Sequence, residues 1–237
     1  MKKERFIIKV FTSVCLIFLL SKGGLGSEDY PSTSKREKRL TPISLDYPNN
    51  QGEVYQPLVP LNSYSTEKGK NLAQKYRAEL IQVVKLLRDN YPPDQVEIRA
   101  VGFLRSPYNE GKDDRYLSAI MEVSEEYEVE NLPFEKRAGM IFKKYVDPIA
   151  RMLLQFENIL KDKRIEGVAI CPNWMLKGTQ KVLDKTKLSE GIFVCINSEI
   201  GKDFFQGKIN LPQLTDQAKI FGREGEKIFV LKDIQIE

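Results

Sequence analysis

Ser65 and Lys68 stand one helical turn apart at the start of a helical pattern. At this spacing a lysine can take a serine's proton and make it a nucleophile for acyl transfer. The partners of that chemistry are missing: there is no Ser-Asp-Asn, and Lys185-Thr186-Lys187 lacks the glycine of Lys-Thr-Gly. An N-cap role accounts for Ser65 without catalysis. Cys171 and Cys195 form the second candidate set, each in a strand-like run. A bridge between them would close a loop of about 24 residues, worth roughly 3 kcal/mol by chain entropy. Two buried free thiols are the equal alternative. A reactive thiol is the weaker reading, because the chain has neither a Cys-x-x-Cys nor a histidine.

The complete absence of histidine removes imidazole bases, His-based triads and His-ligated zinc, iron or copper. Glu122, Glu125, Glu126, Glu128 and Glu130 crowd five carboxylates into nine residues. Without a tight glycine turn or Asp-x-Asp spacing, they read as a solvated strand end and not as a calcium loop. Asp113-Asp114 reads the same way. A carboxylate pair for glycoside hydrolysis depends on three-dimensional placement, and the sequence favours no particular pair. Trp174, the only tryptophan, follows a strand candidate, where it either closes a core edge or offers a stacking platform. Trp174 and Tyr108 are the candidate contacts for a ligand or partner. Neither Gly201-Lys202 nor residues 222–227 form a phosphate-binding glycine loop, so no cofactor is expected.

These residues sit behind an N-terminus that reads as an export signal. Lys2, Lys3 and Arg5 precede the apolar run Val10 to Leu20, and Gly24 and Gly26 occupy the −3 and −1 positions before Ser27. The run is about half the roughly 20 residues a membrane-spanning helix needs. Residues 1–26 are therefore expected to be a signal peptide, with retention as a membrane tether the alternative. Removing their five basic residues and one acid leaves 32 of each sign. A neutral mature chain lacks the basic stripe that nucleic acid requires. Residues 27–64 read as a proline-rich flexible linker in which Val54 to Leu61 is apolar enough to dock as an extended arm. A basic stretch, Lys35 to Arg39, reads as a solvated patch within it.

Residues 65–237 are expected to be one α+β domain. Leu72, Tyr76, Leu80, Val83, Val84, Leu87 and Tyr91 form one helical stripe, stopped by Pro92-Pro93. Val96 to Leu104 and Arg115 to Val123 suggest a hairpin. A second stripe runs from Phe134 to Leu160, with Pro148 expected to kink or split it. Strands at Gly167 to Cys171 and Gly191 to Asn197 follow, then a short helix near Ile200 to Phe205. A closing hairpin spans Ala218 to Phe221 and Lys227 to Ile236, with its turn at Arg223-Glu224-Gly225. The order α-β-β-α-β-β-α-β-β implies a largely antiparallel sheet with two long helices on one face. The expected function is a non-catalytic extracytoplasmic module, periplasmic or secreted, that binds a protein, glycan or envelope component. The alternative is a secreted hydrolase using carboxylates or the Ser65-Lys68 pair.

Overall fold

A computed structural model of the chain describes residues 57–107, 111–128, 132–177 and 189–236. The signal segment, the linker up to residue 56, Tyr108, Glu130 and Lys185-Thr186-Lys187 lie outside the described residues. The structure has mixed α and β content built around a six-stranded sheet whose strands lie side by side in chain order.

The first helical stripe is cut into α1 (Glu67–Lys75) and α2 (Arg77–Asn90), which meet at Tyr76. Leu72, Tyr76, Leu80, Val83, Val84 and Leu87 are nevertheless all buried, so the apolar face continues across the break. The cap of α1 is Thr66, and the sequence reading of Ser65 in that role is corrected here. Thr66 Oγ1 accepts from Gly69 N and from Arg115 Nη2, and donates to Asp113 Oδ2 at 2.7 Å. The buried Arg115 also donates to Asp113 Oδ1 and to the Phe103 carbonyl. One hydroxyl thus joins the helix start to the segments around Phe103 and Asp113, a network Ser65 does not enter.

β1 (Val96–Leu104) and β2 (Tyr116–Glu128) pair antiparallel as expected, with a bulge between Ile98 and Ala100. The arm expected upstream docks through its last residues: Val59 N donates to Val101 O, and Leu58 bridges Val101 in parallel. The second stripe is divided into α3 (Phe134–Ile141), a π turn (Phe142–Val146), α4 (Asp147–Leu154) and α5 (Glu157–Leu160). Pro148 is the second residue of α4 in a run that stays helical from α3, so its missing N–H breaks the ordinary ladder there, and the π turn just before it absorbs the mismatch. These helices carry the chain from β2 to β3 (Gly167–Lys177), and the two strands run parallel. The other four neighbouring pairs are antiparallel, through β4 (Ser189–Asn197), β5 (Lys219–Glu224) and β6 (Lys227–Val230).

Between β4 and β5 lie α6 (Ser198–Phe205) and α7 (Leu211–Gln217). The sequence pattern predicts only the first of these. Asn210 and Gln213 form a reciprocal capping box that starts α7. The order therefore departs from one helix per gap, with paired or broken helices at each position. The closing turn falls at Gly225-Glu226 and not at Arg223, which belongs to β5. Gly225 has φ +56°, a conformation that favours glycine in a tight hairpin.

The alternation of each strand divides its side chains between two faces. Val101, Ala119, Ile170, Val194 and Ile220 align across the sheet and share one cluster with buried residues of the helices, among them Leu87, Ile141, Leu153 and Phe204. The other set, including Ala100, Ile120, Cys171, Ala169, Cys195 and Phe221, forms two small clusters that contain no helix residue. Removing the cap hydroxyl by Thr66→Ala should cost about 1–2 kcal/mol in urea unfolding, whereas Ser65→Ala should stay within about 0.5 kcal/mol. Equal losses would refute the assignment of the cap.

Candidate functional site

One register line crosses the sheet on the face away from the helix cluster. It reads Glu97 (β1), Glu122 (β2), Asn173 (β3), Gly191 (β4), Arg223 (β5) and Ile228 (β6). The β1 bulge adds Arg99, whose guanidinium reaches Glu97 at 2.7 Å and Glu122 at 2.6 Å. Gly191 is required by close approach: a Cβ there would lie 2.4 Å from Asn173 Oδ1. Across that gap Arg223 Nη2 donates to Asn173 Oδ1 at 2.9 Å, while Asn173 Nδ2 donates to Met121 O. Arg223 Nη1 donates to Gly225 O and to Ser189 Oγ, so its fork is fixed at both ends.

The charges on this line are only partly solvated. Arg99 keeps 23% of its side-chain surface exposed, and Glu122 keeps 36%. Burial raises the Glu97 carboxyl; Arg99 opposes that shift and Glu122 adds to it. Burial lowers the Arg223 guanidinium against the pull of Glu122 and Glu190. A half-buried line of fixed donors and acceptors with both charge signs suits recognition of a polar surface. Ser189 Oγ is occupied as an acceptor of Arg223 and does not face a base.

Beneath the line, on the helix side, lies a buried ionic core. Glu190 (3% exposed) accepts from Arg137 Nε at 2.8 Å, from Arg137 Nη2 at 2.5 Å and from Trp174 Nε1 at 2.8 Å. Arg137 Nη1 donates to the Leu132 carbonyl. Trp174 and Glu190 are cross-strand partners, and Phe134 packs on the indole with ring centroids 5.8 Å apart. Arg137 projects from the first turn of α3, three residues after Phe134 and four before Ile141. A charged residue in the inward register of an apolar stripe was the available signal, and sequence reasoning passed over it.

The residues singled out from the sequence are scattered. Trp174 is 1% exposed, which is the core-edge reading and not the platform: its ring completes the core, its N–H is committed to Glu190, and it offers no exposed aromatic contact. Tyr108 lies outside the described residues. Lys68 Nζ donates to the Asp113 carbonyl at 2.6 Å, and Asp113 belongs to the α1 cap. Glu122 joins Arg99, whereas Glu125 takes Lys144 and Tyr145. Among the described residues no group of three or more acids or thiols is placed to hold a metal ion. Cys171 and Cys195 are buried free thiols on the same sheet face. Cys195 is registered opposite Ala169, which makes the two cysteines diagonal neighbours. Diagonal Cα separations of about 7–8 Å exceed the usual disulfide span. Burial pushes both thiols up, Cys171 further by the neighbouring Cys195 and Cys195 further by Asp114.

Comparison of the chain with models of protein families, with curated proteins and with solved structures finds no match. The functional reading therefore rests on geometry. Native protein should leave Cys171 and Cys195 unmodified by a maleimide at pH 7 without reductant, and both should react once denatured. A disulfide-linked peptide pair in a non-reducing digest would contradict this.

Proposed function

We propose that this chain is an exported, non-catalytic module that holds a protein, glycan or other envelope component against the polar line of its sheet. The observation that carries the reading is the line itself: Glu97, Glu122, Asn173 and Arg223 are aligned across five strands, Arg99 joins the two glutamates from the β1 bulge, and hydrogen bonds fix the set. Pre-organised polar groups on a rigid sheet lower the ordering cost of binding. The N-terminal signal pattern supports an extracytoplasmic setting, with an uncleaved tether as the other form of the same reading. Among the described residues no helix is long and apolar enough to cross a membrane.

A carboxylate hydrolase would need an acid and a base presented to substrate. Glu97 and Glu122 are the facing pair, yet Arg99 lies between them and bonds both. That arrangement favours a charge lattice for recognition.

The test expresses the full chain with a photo-crosslinking residue at Ser189 and, separately, at Glu79 on α2. Intact mass of the exported product should begin at Ser27. Adducts with an envelope component should form from position 189, fade in Arg223→Ala, and be absent from position 79. Equal adducts from both positions would remove the sheet face as the binding surface.

A further inference from the structure

A second feature lies away from the sheet face, where the outer side of α3 and the π turn meets the C-terminal tail. A pocket of about 300 Å³ is lined by Lys136, Gly139, Met140, Lys143, Lys144 and Gln235. Lys136, Met140, Lys143 and Lys144 are spaced i, i+4, i+7 and i+8, so they share the face opposite the buried Ala138, Ile141, Phe142 and Tyr145. The floor depends on glycine, since a Cβ on Gly139 would lie 1.9 Å from the Gln235 carbonyl oxygen. The tail is held there by Gln235 N donating to the Glu135 carbonyl.

The chemistry of the rim is specific. Met140 is 46% exposed, one of the few large apolar side chains of the described residues that face water. Lysines stand on both sides of it along the helix. The π turn sends Tyr145 inward and keeps Lys144 at the rim, where it pairs with Glu125 yet remains 61% exposed. An unbranched apolar side chain ringed by ammonium groups on flexible stems matches an anionic phospholipid surface. Phosphates meet the lysines, and the thioether enters the acyl boundary.

We propose that the Lys136–Met140–Lys143–Lys144 face docks on a membrane carrying anionic phospholipid headgroups. This docking is independent of the polar sheet line, and it orients the domain with the outer side of α3 toward the lipid.

Lysine acetylation of the full chain, read by mass spectrometry, tests the proposal whether or not the N-terminal segment also enters the bilayer. With vesicles of phosphatidylglycerol and phosphatidylcholine (30:70), Lys143 and Lys144 should be protected at least threefold. Lys85 and Lys219 should acetylate as in buffer. Pure phosphatidylcholine should give no protection, and 0.5 M NaCl should abolish it. Met140→Ser, a surface change expected to leave the fold intact, should reduce the protection about twofold or more. Equal protection by neutral vesicles, or by inorganic phosphate without lipid, would overturn the proposal; the second result would reassign the pocket to a dissolved anion. Adducts from Ser189 can succeed or fail separately, so the two readings remain distinguishable.

Discussion

A carboxylate placed inside an apolar core costs several kcal/mol unless charge and hydrogen bonds answer it. Glu190 is answered on both oxygens by the Arg137 fork and on one of them by the Trp174 indole. The three side chains come from three elements, α3, β3 and β4, with Arg137 53 residues from Glu190 in the chain. Arg137 fixes the start of the β2-to-β3 connection, and Trp174 and Glu190 fix the far ends of two central strands. With those ends fixed, Asn173 and Gly191, the residues next to them, turn to the opposite face in register with Glu122 and Arg223. The polar line is the outer consequence of an inner ion pair.

The same connection explains the helical irregularities. α3 must present Phe134, Arg137, Ala138 and Ile141 to the sheet, and α4 must present Ile149, Ala150 and Leu153. The π turn between them sets the phase so that both faces point inward, and Pro148 prevents an ordinary helix at the junction. Its other product is the outward grouping of Lys143 and Lys144 beside Met140. One register adjustment therefore serves packing on one side and a basic rim on the other.

How much of this was legible in the sequence follows from the range of each signal. Apolar periodicity gave the helical stripes, the β1–β2 hairpin and the central strands, because it reports burial locally. It missed the break at Tyr76, since the apolar face runs unbroken across it. It ended β3 at Cys171, because Pro172 and Asn173 resemble a turn. In the structure Pro172 lies opposite Met121 of β2, and the pairing with β4 resumes at Asn173. The site itself was almost illegible. Arg223 looked like a turn residue and Trp174 gave no sign of its carboxylate partner, because their roles depend on partners 50 and 16 residues away. The cap was misplaced at Ser65, because the Arg115 and Asp113 contacts that make it Thr66 are long-range.

The most direct measurement is a double-mutant cycle on Arg137 and Glu190, followed in urea by the fluorescence of the only tryptophan. Arg137→Met and Glu190→Leu should each lose about 3–5 kcal/mol, because each leaves a buried charge without its partner. The double variant should recover at least about 2 kcal/mol relative to the sum, with a changed Trp174 emission. Losses that add within about 0.5 kcal/mol would show that the two side chains do not act as a pair. The polar line would then need another anchor.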